Sequence, residues 1–311
     1  MADAATTLPN WAVYLLLAPI VIFAIWHLNS ALIPPPPPPA QLRNAKIVLL
    51  IAHPDDESMF FSPTLTHLTR SELGNHIKIL CLSTGNSEGL GERRRKELEL
   101  AAVKLGLRSE QDVLVLDNER FKDGMQETWD TKEISKLLAN AFAPDSMQDE
   151  KKKSKKKGDG PKATIDAIIT FDAYGVSRHP NHIALYHGAK MFLQDLMRGY
   201  TGYACPITLY TLQTVNILRK YSFVLDVMPT YFTGIVKDVV AGASGKKKVK
   251  SKGISKGTKG DRVMFVSDLG KYWRGRDAMV NAHKSQMVWF RWGWINIGRY
   301  MVVNDLKRED L

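Results

Sequence analysis

Short, continuous apolar runs recur along the chain at 45–52 (AKIVLLIA), 77–83 (IKILCLS), 113–117 (VLVLD), 164–171, 206–212 and 262–266. Runs of this length without alternation are expected of strands buried on both faces of a parallel sheet. Between them the pattern turns helical: around Phe60–Leu73, over 92–105 (ERRRKELELAAVKL), over 131–142, from Pro180 onward, and after the last strand to about Met287. Gly106 suits the position just past a helix end, where a left-handed backbone is common. Strands alternating with helices predict an α/β fold with a doubly wound, mostly parallel, Rossmann-like sheet.

One apolar stretch does not belong to that series. Residues 11–33 (WAVYLLLAPIVIFAIWHLNSALI) carry no acid, lysine or arginine. Their 23 residues suffice for the roughly 30 Å of a hydrocarbon core, and Trp11, Tyr14 and Trp26 sit where interfacial anchors would. A cleaved signal peptide would need a basic start and a small-x-small site; residues 1–10 hold no lysine or arginine. The reading is one transmembrane anchor, residues 11–33, behind a tail at 1–10. Arg43 and Lys46 follow the span, so the positive-inside bias turns the bulk of the chain toward the cytoplasm. Prolines 34–39 open a linker, residues 34–44, expected to act as a stiff polyproline spacer lifting the following domain off the bilayer. That domain takes residues 45–311.

Charge refines this picture more than composition does. The 311 residues are 44% hydrophobic and 24% charged, which is ordinary for a globular chain. The formal net charge is +11, but residues 151–157 and 246–259 supply thirteen lysines and no acid, which leaves the remainder at −2. The basicity therefore belongs to two Lys-rich insertions, near 144–163 and 242–260, which read as solvated loops or as segments drawn to anionic lipid. No nucleic-acid-binding motif surrounds them, and no nucleic-acid partner is expected. Two cysteines, Cys81 and Cys205, in apolar runs give no disulfide framework.

The candidate chemistry lies at two strand ends. Ala52-His53-Pro54-Asp55-Asp56-Glu57 follows the first strand, and ligands bind at this carboxyl edge of open α/β sheets. His and Asp suit a catalytic zinc, which keeps an open position for water. Adjacent carboxylates point different ways, so one of Asp55 and Asp56 can bind metal while the other handles a proton. Arg178-His179-Pro180-Asn181-His182 follows the strand ending at Phe171. Pro180 fits the first helical turn with His179 as its cap, so one histidine can complete a metal site while its neighbour points into the same pocket. Arg94 is either a helix-face charge paired with Glu97 or a contact to substrate. Asp117 and Asn118 either bind sugar hydroxyls or form a turn. His283, among apolar neighbours, reads as a core histidine. Trp289, Trp292 and Trp294 with Arg291 and Arg299 read as core packing or as shallow interfacial insertion.

These motifs, with Gly91-Glu92-x-Arg94-x-x-Glu97-Leu98, Ala282-His283-x-Ser285-Gln286, Ser83–Asn86, Leu116–Asn118, Phe171–Ala173 and Leu212–Tyr221 (LQTVNILRKY), resemble the PIG-L/LmbE deacetylase family. The similarity covers about residues 45–303, and the LQTVNILRKY stretch and apolar span point to its lipid-substrate branch. The resemblance implies a zinc ion, or another divalent metal, on His53, Asp56 and His182. It implies Asp55 as general base and a protonated His179 as electrophile or acid beside the developing oxyanion. The implied reaction is removal of the acetyl group of N-acetylglucosaminylphosphatidylinositol, in anchor-lipid synthesis at the endoplasmic reticulum membrane. Alternatives are a zinc deacetylase of a soluble N-acetylglucosamine conjugate and an inactive membrane-tethered binding protein.

Overall fold

A computed structural model of the 311-residue chain describes residues 9–32, 37–144, 160–233 and 262–311. Seven strands form one sheet: β1 (Lys46–Ile51), β2 (His76–Cys81), β3 (Val113–Val115), β4 (Ala167–Phe171), β5 (Thr208–Leu212), β6 (Arg262–Val266) and β7 (Val303–Arg308). Their order is β3-β2-β1-β4-β5-β7-β6. The first five run parallel, and β7 is antiparallel to both neighbours. Six of the strands lie on the apolar runs that predicted them, because β1, β4 and β5 are buried almost end to end between helical layers.

The helices are α1 (Asn10–Leu32), α2 (Asp56–Met59), α3 (Ser62–Leu68), α4 (Gly91–Leu105), α5 (Thr131–Phe142), α6 (Gly175–Arg178), α7 (Pro180–Met197), α8 (Ile217–Lys220), α9 (Leu269–Asp277) and α10 (Trp289–Ile297). The helix expected over Phe60–Leu73 divides instead into α2 and α3, since Phe60 and Phe61 turn inward to the core and Gly74 ends the segment in a left-handed turn. The helix expected to reach Met287 stops at Asp277 and continues as a π turn over Ala278–Ala282.

Strand β7 carries no apolar run and was not expected. Its Asn304 is buried because its amide satisfies backbone elsewhere: Nδ2 donates to Phe60 O (2.8 Å), and Oδ1 accepts from Thr64 N (3.1 Å) and Thr64 Oγ1 (2.7 Å). A polar residue is thereby accommodated without an unpaired group.

The chain leaves β1 toward β2 and β3 on one side and crosses to β4 and β5 on the other. The strand order therefore reverses between β1 and β4, and their carboxyl ends open a crevice at that switch point. Both predicted motifs emerge there.

The expected span is helical over Asn10–Leu32, close to the predicted 11–33. Among the described residues no helix is long and apolar enough to cross a membrane. One expectation about this region is corrected. Trp26 is no outlying anchor: it is buried against the domain, its indole N–H donates to Ser267 O at 2.9 Å, and its ring meets Phe223 and Tyr272 edge-on. The linker is extended at Pro39 (φ −61°, ψ 162°) and turns compact directly after it, and residues 34–36 lie outside the described ones. Ala40–Leu42 make a 3-10 turn, Leu42 is fully buried, and Arg43 Nε donates to Pro38 O at 2.9 Å. Apolar burial at Trp26 and Leu42 ties both segments to the domain. The Lys-rich runs at 151–157 and 246–259 lie outside the described residues.

Candidate active site

Five segments converge on the crevice: the turn after β1, the stretch from Gly85 into α4, the loop around Asp123, the turn from Asp172 through α6 into α7, and the stretch from Gln286 into α10. They line a cavity of about 370 Å³. The β1 turn is held in a costly shape. Asp55 has φ +116°, a left-handed conformation that costs a non-glycine residue about 1–3 kcal/mol. Its backbone N–H donates to Glu57 Oε2 (3.1 Å), and Glu57 Oε1 meets the fully buried His283 Nε2 at 2.6 Å. Burial opposes a charge on His283, but the Glu57 carboxylate outweighs it and raises the ring's pKa. His283 is thus a core histidine, as expected, and also the prop behind the Asp55 turn.

Asp56 points back into its own turn. Its Oδ2 accepts from Ala52 N (3.0 Å) and His53 N (2.9 Å), while Oδ1 lies 3.2 Å from His182 Nε2. Burial alone would push the Asp56 carboxyl up; His182 and the hydrogen bonds reverse this and hold it well below the usual carboxylate range. On α7, His182 stacks on Phe171, with ring centroids 3.9 Å apart, and its Nδ1 lies 3.1 Å from Gly175 O. In the neutral ring, with Nδ1 as donor there, Nε2 presents a lone pair; that atom is buried without a hydrogen bond of standard geometry, and the Asp56 carboxylate facing it outweighs burial and raises the ring's pKa. His53 Nε2 is within hydrogen-bonding distance of Asn181 Oδ1 (3.0 Å) and Asp123 Oδ1 (3.1 Å), which leaves Nδ1 toward Asp56 Oδ2 at 4.0 Å. Burial lowers the His53 pKa.

His53, Asp56 and His182 therefore form a buried set whose ligand atoms lie within 4.8 Å of one another. Two imidazoles and a carboxylate, with one buried nitrogen lacking a standard hydrogen bond and outer hydrogen bonds fixing both rings, fit a divalent metal. A second group, His53, Asp123 and His179, is more open and has Arg94 against it, Nη1 lying 3.4 Å from Asp123 Oδ2. It forms the cavity wall.

His179 caps α7, accepting from Asn181 N through Nδ1 at 3.3 Å. That tautomer places the ring proton on Nε2. The expected imidazolium is corrected. Burial, then the neighbouring His182 and His53, brings the His179 pKa down to about 4, so the ring is neutral near pH 7 and acts as an N–H donor.

Of the expected substrate contacts, Arg94 alone lines the cavity. Its Nη1 donates to Gly85 O (2.7 Å) and its Nη2 to Pro54 O (3.0 Å), with Asp55 Oδ2 at 3.7 Å from Nη2. It is Arg93 that pairs with Glu97. Asp117 and Asn118 are exposed and outside the cavity lining; Asn118 Oδ1 accepts from Arg120 N (3.0 Å), so it serves the turn. Two further acids, Glu88 and Asp123, line the cavity, and Arg291 contacts Asp55 Oδ2 from α10. Asp123 sits in a loop without periodicity, and Arg291 in an aromatic run that reads as packing or as interfacial insertion, not as a contact to Asp55. Neither position was legible without the fold.

A family profile described as "PIG-L: GlcNAc-PI de-N-acetylase" matches residues 48–193. An N-acetylglucosaminyl-phosphatidylinositol de-N-acetylase of Arthroderma benhamiae is 45% identical over 325 aligned positions, covering 94% of this chain and 96% of that protein. The chain belongs to the GlcNAc-PI de-N-acetylase family. The Saccharomyces cerevisiae protein of the same name is 32% identical, with 84% of this chain and 80% of that protein aligned. Among solved structures, N,N'-diacetylchitobiose deacetylase of Pyrococcus horikoshii aligns over 74% of this chain and 78% of its own, at 17% identity and a TM-score of 0.38. The profile spans both motifs that build the de-N-acetylase crevice, from β1 through α7.

Proposed function

We propose that this chain removes the acetyl group of N-acetylglucosaminylphosphatidylinositol, giving acetate and the free amine, in the synthesis of glycosylphosphatidylinositol anchors. The observation that carries the reading is the buried His53–Asp56–His182 set, with His182 Nε2 lacking a standard hydrogen bond, beside Asp55 and His179 in one cavity. These three residues would hold a divalent metal, zinc by donor chemistry. When bound, the metal polarises the amide carbonyl and makes water nucleophilic near neutral pH. Asp55, at the cavity wall, accepts the proton of the attacking water as the oxygen bonds to the acetyl carbon. His179 donates Nε2–H to the carbonyl oxygen as negative charge builds there. The carbon–nitrogen bond then breaks, and the proton held by Asp55 passes to the departing amine. Arg94 and Arg291 bear on Asp55 and hold its carboxylate in place.

The membrane setting belongs to the same proposal. In this reading the anchor rests on the sequence, residues 11–33 without acid, lysine or arginine, set in the endoplasmic reticulum membrane with the tail lumenal and the catalytic domain in the cytoplasm. Tyr14, Leu17, Ile20, Val21 and Phe23 expose their side chains along α1, which suits a lipid environment. The test is metal analysis and acetate release on one preparation, with the glycolipid and a soluble N-acetylglucosamine conjugate compared. The reading expects about one bound metal per chain and a strong preference for the lipid. Equal turnover of both substrates would overturn the lipid assignment, and a metal-loaded chain that released no acetate would overturn the enzyme. Protease added to sealed microsomes is expected to digest the domain; full protection would reverse the orientation.

A further inference from the structure

Three segments next to the cavity expose apolar side chains, and one buried aromatic cluster ties them together. Trp26 of α1 packs on Phe223 and Tyr272, with centroids at 5.3 and 5.0 Å. Tyr272 of α9 donates its hydroxyl to Ile295 O of α10 at 2.9 Å. Tyr221, just after α8, meets Trp294 of α10 edge-on at 5.9 Å. From this shared base Leu218 of α8 is 82% exposed and Trp289 of α10 is 84% exposed, far more than a packed helix face leaves open. Arg276 lies between two more exposed rings, its guanidinium carbon 5.3 Å from the Trp273 centroid and 5.5 Å from that of Trp292. Phe290 and Arg291, the neighbours of Trp289, line the cavity.

We propose that α10 and the Ile217–Leu225 segment form a docking face that lies on the phospholipid bilayer at the mouth of the active site. The occupant follows from three observations. The face continues from α1, whose exposed residues are apolar, through direct contacts rather than a linker. Its composition is tryptophan and arginine with scattered aliphatics, and indole and guanidinium groups sit well at the level of headgroups and glycerol. Its inner edge is the cavity wall, so a lipid need rise only partly from the leaflet to bring its sugar to Asp55. The proposal rests on the lipid-substrate reading and adds a second membrane contact, made by the catalytic domain itself.

The experiment uses the full chain in phosphatidylcholine–phosphatidylinositol vesicles. An environment-sensitive fluorophore is placed on Trp289→Cys, Leu218→Cys or, on the exposed face of α4, Lys96→Cys, each in a Cys205→Ser background. Emission at 289 and 218 is expected to shift to the blue and be quenched by brominated phosphatidylcholine, while that at 96 stays aqueous. Probes at 289 and 218 as aqueous as that at 96 overturn the proposal. So does shielding that appears without vesicles and grows with protein concentration, which would give the face to a second copy of the chain. In parallel, Trp289→Ser with Leu218→Ser should lower turnover of the glycolipid in vesicles by roughly tenfold, from the lost interfacial burial. Turnover of a soluble N-acetylglucosamine derivative should stay unchanged. Buried probes on a chain that leaves the glycolipid intact would keep the docking face and sink the substrate reading; aqueous probes on an active chain would do the reverse.

Discussion

The pair Glu57–His283 gives the sharpest test of how the catalytic turn is held. Both side chains are fully buried, 2.6 Å apart, and Glu57 also accepts the N–H of Asp55 and the hydroxyl of Ser58 (2.5 Å). Glu57→Leu removes three acceptor contacts and leaves His283 without its carboxylate in a dry site. Removing one partner of a buried ion pair costs about 3–5 kcal/mol. At roughly 2–4 °C per kcal/mol for a domain of this size, thermal unfolding should fall by about 6–20 °C. Activity should fall further than stability explains, because Asp55 loses the bond that holds it at φ +116°. His283→Leu alone should also destabilise. The double variant Glu57→Leu with His283→Leu should recover much of the loss, since replacing a buried pair with apolar groups is often near neutral. Thermal melts of the four proteins form a double-mutant cycle, with acetate release at a temperature where all are folded. Effects that simply add, with coupling below about 0.5 kcal/mol, would refute the reasoning.

Further outcomes follow from the same geometry. His53→Ala, Asp56→Ala and His182→Ala should each lower bound metal and activity together, whereas Asp55→Asn should keep the metal and lose at least about a hundredfold in turnover; metal analysis showing an empty site in Asp55→Asn would reverse the roles of the two carboxylates. Gly85 has φ +66° and lies under the Arg94 guanidinium, which a Cβ would strike, so Gly85→Ala should displace Arg94 and reduce kcat more than Arg93→Ala does in the same steady-state assay. Burial holds His67 at about 4 in the folded chain against an ordinary 6.5. Its contribution to stability is therefore complete above pH 6.5 and is lost as pH falls toward 4, by about 3 kcal/mol in all. Denaturant titrations of wild type and His67→Gln across that range should converge as the pH drops, and curves that stay parallel would contradict it.

The sequence alone determined the strands β1 to β6, the helices α4, α5 and α7, and the identity of the motifs at the ends of β1 and β4. The physical reason is that these features are local. A buried parallel strand must be apolar along its length, a helix must repeat its apolar face, and proline after a capping histidine starts a helix whatever surrounds it. Tertiary structure decided what depends on partners distant in the chain. Strand β7 exists because Asn304 finds acceptors and donors some 240 residues away. Trp26, read as an interfacial residue, is buried because Ser267, 241 positions on, accepts its N–H. Asp123 enters the cavity because the loop after β3 folds over His53, and Arg291 reaches Asp55 across 236 residues. The charge state of His179 was likewise invisible, since a histidine's pKa is set by what surrounds it in space, and only the fold brings His53 and His182 against that ring.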